Sequence, residues 1–203
     1  MGFEKNVFIN CPFDEDFLPL LRAAVFTLLA CGFTPRLALE EQDSGRPRLD
    51  KIRELIQQSC WSLHDLSRLE DPSPRYNMPF ELGLDLGCRL YGSGELSRKR
   101  CLILEKERYR YQKALSDISG NDIAAHHNHP DQLVRIVRNW LKSSTGRKLP
   151  GARLLWQSLN QFYSDFEAIL TQEGEELDDV SIPDFIDYVQ TWLNTVSPEL
   201  PPR

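Results

Sequence analysis

From Val7 to Leu141, short apolar runs alternate with stretches of helical period, and this rhythm restricts the fold more than any other feature of the chain. Val7-Phe8-Ile9 is one such run, closed by Asn10-Cys11-Pro12. After Asp14-Glu15-Asp16, residues Leu18, Leu21, Val25 and Leu28 recur on one helical face. Gly32 ends that helix, and Thr34 to Leu39 reads as a second strand before the polar loop Glu40 to Pro47. Leu49, Ile52, Leu55 and Ile56 mark a second helix, and Trp61 to Leu66 a third strand. The loop Ser67 to Arg75 leads into a helix from Met78 to Leu90, the turn Gly92-Ser93-Gly94 and a fourth strand, Cys101 to Leu104. A short helix over Tyr109 to Ser116, a fifth strand over Asp122 to Ala125 and a helix from Asp131 to Leu141 complete the series. Five strands separated by helices imply a doubly wound parallel sheet, because parallel neighbours need crossover connections. Such sheets bind ligands at the carboxyl ends of their strands, where strand order reverses. The loops after Ile9, Leu39 and Leu66 are therefore where a site is expected.

Lys142 to Gly151 reads as a linker, so residues 1–148 are assigned to an α/β domain and 149–203 to a helical appendage. Helical period over Arg153 to Gln172 and again from Ile182, with Pro183 early in the helix, predicts a C-terminal helical hairpin. Its many aromatic residues, among them Trp156, Phe162, Phe166, Phe185 and Trp192, require burial against the main domain or another subunit, so a homo-oligomer or a protein partner is expected. The net charge of −6 argues against an extended nucleic-acid surface, which needs a basic excess. No apolar run approaches membrane-spanning length, and a cytoplasmic location is expected. The five cysteines, Cys11, Cys31, Cys60, Cys88 and Cys101, are scattered singly, which disfavours zinc and disulfides. No metal or cofactor is expected.

The chemistry concentrates at Asn77-Met78-Pro79-Phe80-Glu81-Leu82-Gly83. Asn77 is suited to capping a helix, Pro79 is tolerated in the first turn, and a carboxylate at Glu81 close to the positive helix end favours ionisation. Glu81, Asp85 and Arg89 form a polar stripe on an otherwise apolar helix. Spacing alone fits an exposed salt-bridging edge as well as a site. Gly83 and Gly87 suggest a close approach by a strand or a ligand, since mid-helix glycine costs roughly 1 kcal/mol against alanine.

The order strand with a polar end, loop, then N-x-x-F-E-L-G-x-x-x-G resembles the superfamily joining Toll/interleukin-1 receptor (TIR) domains to nucleoside 2-deoxyribosyltransferase-like proteins, over Val7 to Leu141. The opening Val-Phe-Ile-Asn-Cys-Pro-Phe-Asp is similar to the first strand and loop of a prokaryotic TIR-like branch. The resemblance implies a flavodoxin-like sheet and a glutamate, here Glu81, acting at the anomeric carbon of a ribosyl group. It further implies NAD or a related nucleotide or nucleoside as substrate or ligand, and a role in antiphage defence. An ionised carboxylate beneath a ribose can stabilise an oxocarbenium-like centre or attack it.

Around Glu81, Asp65 at the end of the third strand is a candidate for binding ribose hydroxyls or orienting Asn77; capping the next turn is the plainer alternative. Asn10, Cys11 and Phe13 in the first loop are candidates for holding and stacking a base. Cys11 also reads as a buried core thiol. Arg36, Arg46 and Arg48 are candidates for phosphate contacts, or solvated surface charges. His126, His127 and His129 show no metal-ligand spacing and read as an exposed loop. Lys106, Arg108, Arg110 and Lys113 with Tyr109 and Tyr111 read as a solvated basic helix face or a nucleotide contact. Three functions are weighed: an N-ribosyl hydrolase or transferase centred on Glu81, a catalytically inactive TIR-like nucleotide-sensing or protein-interaction module, and a phosphoacceptor domain using Asp14, Asp16 and Asp65. The last lacks a lysine after the fifth strand, where Ala124-Ala125-His126-His127 stands.

Overall fold

A computed structural model describes residues 2–40, 45–69, 74–110, 115, 118 and 123–196. Five parallel strands, β1 (Asn6–Asn10), β2 (Thr34–Arg36), β3 (Trp61–Asp65), β4 (Arg100–Glu105) and β5 (Ile123–Ala125), form one sheet in the order β2-β1-β3-β4-β5. This is the expected flavodoxin-like α/β class. The helices are α1 (Leu18–Ala30), α2 (Arg48–Gln57), α3 (Asn77–Tyr91), α4 (Pro130–Thr145), α5 (Ala152–Glu173) and α6 (Ile182–Val196). β2 is shorter than its apolar pattern, since its pairing with β1 ends at Arg36 opposite Phe8. The predicted linker is partly helix, as α4 runs on to Thr145. The short helix expected over Tyr109 to Ser116 lies mainly outside the described residues, as does Lys113.

The chain divides into two compact units, residues 1–18 with 33–129 and residues 19–32 with 130–203. In the first, β1 is buried along its whole length, and Phe8 packs with Ile52, Leu55 and Ile56 of α2, with Leu84 and Cys88 of α3 beside them. A second cluster joins Leu66, Leu69, Met78, Leu82 and Ile103. These two patches pin α2 and α3 by their apolar faces and so fix where the first turns of α3 stand.

In the second unit the hairpin closes on α1. Phe162 stacks on Phe166 at 5.1 Å between ring centroids and meets Phe185 edge-on at 5.6 Å, while Phe26 of α1 lies 5.9 Å from Phe162 and 6.1 Å from Trp192. Phe162, Phe166, Phe185 and Trp192 of the C-terminal segment thus pack within this unit. Arg22 of α1, almost wholly buried, donates to the Leu177 carbonyl at 2.7 Å and lies over the Phe185 ring. Trp192 Nε1 donates to Asp165 at 2.7 Å, so its one polar atom stays paired. No helix among the described residues is long and apolar enough to cross a membrane.

Among the described residues the close approach expected at Gly83 and Gly87 is absent: a Cβ at Gly83 meets nothing within 4 Å, and one at Gly87 only the Tyr91 ring at 4.0 Å. Gly83→Ala is therefore expected to stabilise the protein by about 0.5–1 kcal/mol through helix propensity and reduced unfolded-state freedom. A lower Tm for this variant in thermal unfolding would contradict that.

Candidate active site

The strand order reverses between β1 and β3, and the site assembles at the carboxyl ends of those two strands. β1 delivers Asn10 and Cys11, β3 delivers His64 and Asp65, α3 delivers Asn77, Glu81 and Asp85, and α2 begins at Arg48. Pleating sends His64 and Asp65 to opposite faces of the sheet, so each builds its own network.

On the face toward α3, Ser62 and His64 meet Asp85. His64 Nε2 lies 2.9 Å from Asp85 Oδ2, and the Ser62 hydroxyl donates to the same oxygen. Lys99 Nζ sits 3.0 Å from Asp85 Oδ1 and also donates to the Ile56 carbonyl at 2.7 Å and to the Ser59 carbonyl. Among the described residues Asp85 Oδ1 has no partner of hydrogen-bond geometry. The ammonium at 3.0 Å still compensates its charge. All four side chains are buried. Burial pushes the Asp85 carboxyl up, but His64, Lys99 and Ser62 outweigh it and hold it at about 2. This overturns the reading of Glu81, Asp85 and Arg89 as an exposed salt-bridging edge: Glu81 and Asp85 are 4% and 3% exposed, and Asp85 pairs with Lys99 and His64.

One turn earlier on α3, Glu81 has the opposite electrostatics. Burial raises its pKa, and Arg48, a hydrogen bond with Asn77 and His64 offset this only in part. Two expectations fail here. The cap position is Tyr76, without a side-chain cap bond, and Asn77 is the first helical residue, its side chain bonded to Glu81 instead. Glu81 then falls beyond the first turn, which holds no acidic residue, so desolvation outweighs the helix-end field expected to favour ionisation.

On the other side of β3, Asp65 Oδ1 accepts from Ser67 N–H at 2.9 Å, the turn-capping role that was the plainer alternative. Its Oδ2 lies 2.9 Å from His126 Nε2, and the Ser67 hydroxyl is 3.1 Å from that same nitrogen. His126 Nδ1 accepts from Asn128 N–H at 3.0 Å. Serine and aspartate at one ring nitrogen cannot act as a nucleophilic triad, which needs them on opposite nitrogens. His126 is fully buried, contrary to its assignment to an exposed loop, whereas His127 and His129 are exposed. Among the described residues no cluster of His, Cys, Asp or Glu has metal-binding geometry.

Cys11 is buried, and burial, with the charges of Asp65, Glu81 and Asp14 adding to it, pushes its thiol well up, away from the thiolate that nucleophilic attack needs. Asp14 is held by the Arg68 guanidinium at 2.7 and 3.3 Å. Among the described residues no disulfide forms, and burial raises every cysteine, Cys31 to about 12 and Cys101 to about 11. Iodoacetamide at pH 8 is expected to label Cys11, Cys31 and Cys60, the buried thiols, far more slowly in the native protein than in the denatured one; fast native labelling of Cys11 would contradict its placement.

Of the residues expected in the site, Asn77 bonds Glu81, with the charge of Arg48 acting on it, and Asn10 reaches the start of the same helix through the Met78 carbonyl, whereas Asp65 belongs to the separate network with Ser67 and His126. Phe13 is half-buried in the loop after β1. Arg36 instead pairs with Glu40 at 2.8 Å, and Arg46 with Glu54 at 2.6 Å, as surface ion pairs. His64, Lys99 and His126 were not anticipated as members. The signal for His64 lay in β3 itself, where Ser62 and His64 put polar groups at a two-residue period on a buried strand. No protein-family model matches the sequence, and no curated protein matches it.

Proposed function

We propose that this chain cleaves N-glycosidic bonds of NAD or a related nucleotide or nucleoside, with Glu81 as the carboxylate at the anomeric carbon, in the manner of the TIR-like and deoxyribosyltransferase-like proteins it resembles. The observation that carries the reading is the contrast between two buried carboxylates one turn apart. Asp85 is fully compensated and held near 2, whereas Glu81 stands at the strand switch point with its pKa raised by burial. Neighbouring groups driven apart in pKa mark divided roles, one structural and one chemical. In this mechanism Asn77 holds Glu81 by a hydrogen bond, the charge of Arg48 favours its ionised form, and the carboxylate in that form stabilises or captures the ribosyl cation as the base departs. An effector of antiphage defence is the biological setting this activity fits.

Incubating the purified protein with NAD and with nucleosides, and following release of nicotinamide or free base, tests the proposal. Absence of both products across oligomeric and activated conditions, with Glu81→Gln indistinguishable from wild type in cells, would end it. The burial of Glu81 at 4% exposure favours a second reading, a TIR-like module that binds a nucleotide without turnover. The same experiment separates the two, because binding without product supports only the second.

A further inference from the structure

Asn10 is 2% exposed, and its Nδ2 sits 2.9 Å from the Met78 carbonyl and 3.0 Å from His64 Nδ1. The carbonyl can only accept, so this contact fixes which end of the amide is nitrogen. Turning the amide would set two oxygens against each other. With Nδ2 donating to it, His64 Nδ1 carries no proton, and the proton resides on Nε2, directed at Asp85. One atom of the network is left over. Asn10 Oδ1, fully buried, has no hydrogen-bond partner among the described residues, and an unsatisfied buried acceptor costs about 1–3 kcal/mol.

We propose that His64 is a positioning residue of this site: Asp85 sets its tautomer, its Nδ1 joins the Met78 carbonyl in holding the Asn10 amide nitrogen, and Asn10 Oδ1 is left as acceptor for an N–H or O–H donor of the ligand. This rests on the reading of the Glu81 region as the active site. The chain Lys99–Asp85–His64 supplies the second acceptor of the Asn10 amide nitrogen beside the Met78 carbonyl, so that both amide hydrogens are held, and its logic is directional. In Asp85→Asn the new amide oxygen is drawn to the Lys99 ammonium, which leaves the amide nitrogen facing His64 Nε2. That ring nitrogen must then accept, the proton moves to Nδ1, and Asn10 Nδ2 loses one of its two acceptors, keeping only the Met78 carbonyl.

The test is the nitrogen NMR signature of His64 in ligand-free protein labelled with ¹⁵N, at pH 7. The expected result is a protonated Nε2 and a bare Nδ1 in wild type, reversed in Asp85→Asn. A wild-type signal with the proton on Nδ1 overturns the proposal, whether or not Asp85→Asn folds. With NAD as the probe, Asp85→Asn is expected to lower kcat/KM about 10–100-fold, the range typical when the partner orienting an imidazole is lost, and to do so through KM, because Asn10 binds rather than reacts. A folded variant with reversed tautomer and unchanged NAD kinetics would also overturn it. A wild type that releases neither nicotinamide from NAD nor free base from nucleosides counts against the proposed function, whereas the ligand-free tautomer decides the positioning role by itself.

Discussion

Glu81→Gln is expected to abolish cleavage, by about 10³-fold or more in kcat, while leaving the protein folded and with a higher Tm than wild type at pH 7. The activity loss follows from replacing the only group proposed to meet the ribosyl cation by a neutral one. The stability gain follows from linkage. The folded-state pKa of Glu81 lies above its ordinary 4.5, so its favourable contribution is fully present below 4.5 and is lost as pH rises through the raised value. Above that value the fold carries a buried charge that Arg48 and Asn77 compensate only in part. Glutamine removes the charge and still accepts from Asn77. The Tm difference should therefore be largest at neutral pH and vanish near pH 4. For the same reason the acid limb of wild-type activity should fall above 4.5. A variant less stable than wild type at pH 7 would mean that Glu81 is a structural carboxylate like Asp85.

Lys99→Met is expected to show the opposite pattern, losing about 3–5 kcal/mol of stability, the typical cost of breaking a buried ion pair from one side. For a chain of this size that is a fall in Tm on the order of 10 °C. Methionine fills similar volume but strands the Asp85 carboxylate and leaves the Ile56 and Ser59 carbonyls without their shared donor. The wild-type pH profile provides a companion measurement. Asp85 is held at about 2 against an ordinary 3.8, so it contributes about 2 kcal/mol that is complete above pH 4 and lost as pH falls toward 2. In Lys99→Met that acid-side loss should shrink, because the group that lowers the Asp85 pKa is gone. An unchanged denaturation midpoint in urea would show that Lys99 does not carry the pair.

The positions of the strands and helices, and Glu81 as the carboxylate to watch, were legible in the sequence, because local patterning and turn residues carry that information. Val7-Phe8-Ile9 can only be a buried strand, and the apolar faces of α2 and α3 follow from helical period. The partners of each polar group were not legible. Asp85 was read with Arg89, four residues away, but its partners Ser62, His64 and Lys99 come from β3 and from the residue before β4. Sequence spacing reports only neighbours on one element, whereas β3 and α3 are brought together by the apolar contacts of Met78 and Leu82. Desolvation was equally hidden: the α3 pattern placed Glu81 near a positive helix end, and only the packed fold showed it buried, which reverses the sign of its pKa shift. The chain by itself thus determined which elements form and singled out Glu81 as a carboxylate on one of them. Tertiary structure decided which carboxylate is compensated and which is left under strain, since burial and charge pairing are properties of elements distant in sequence and adjacent in space.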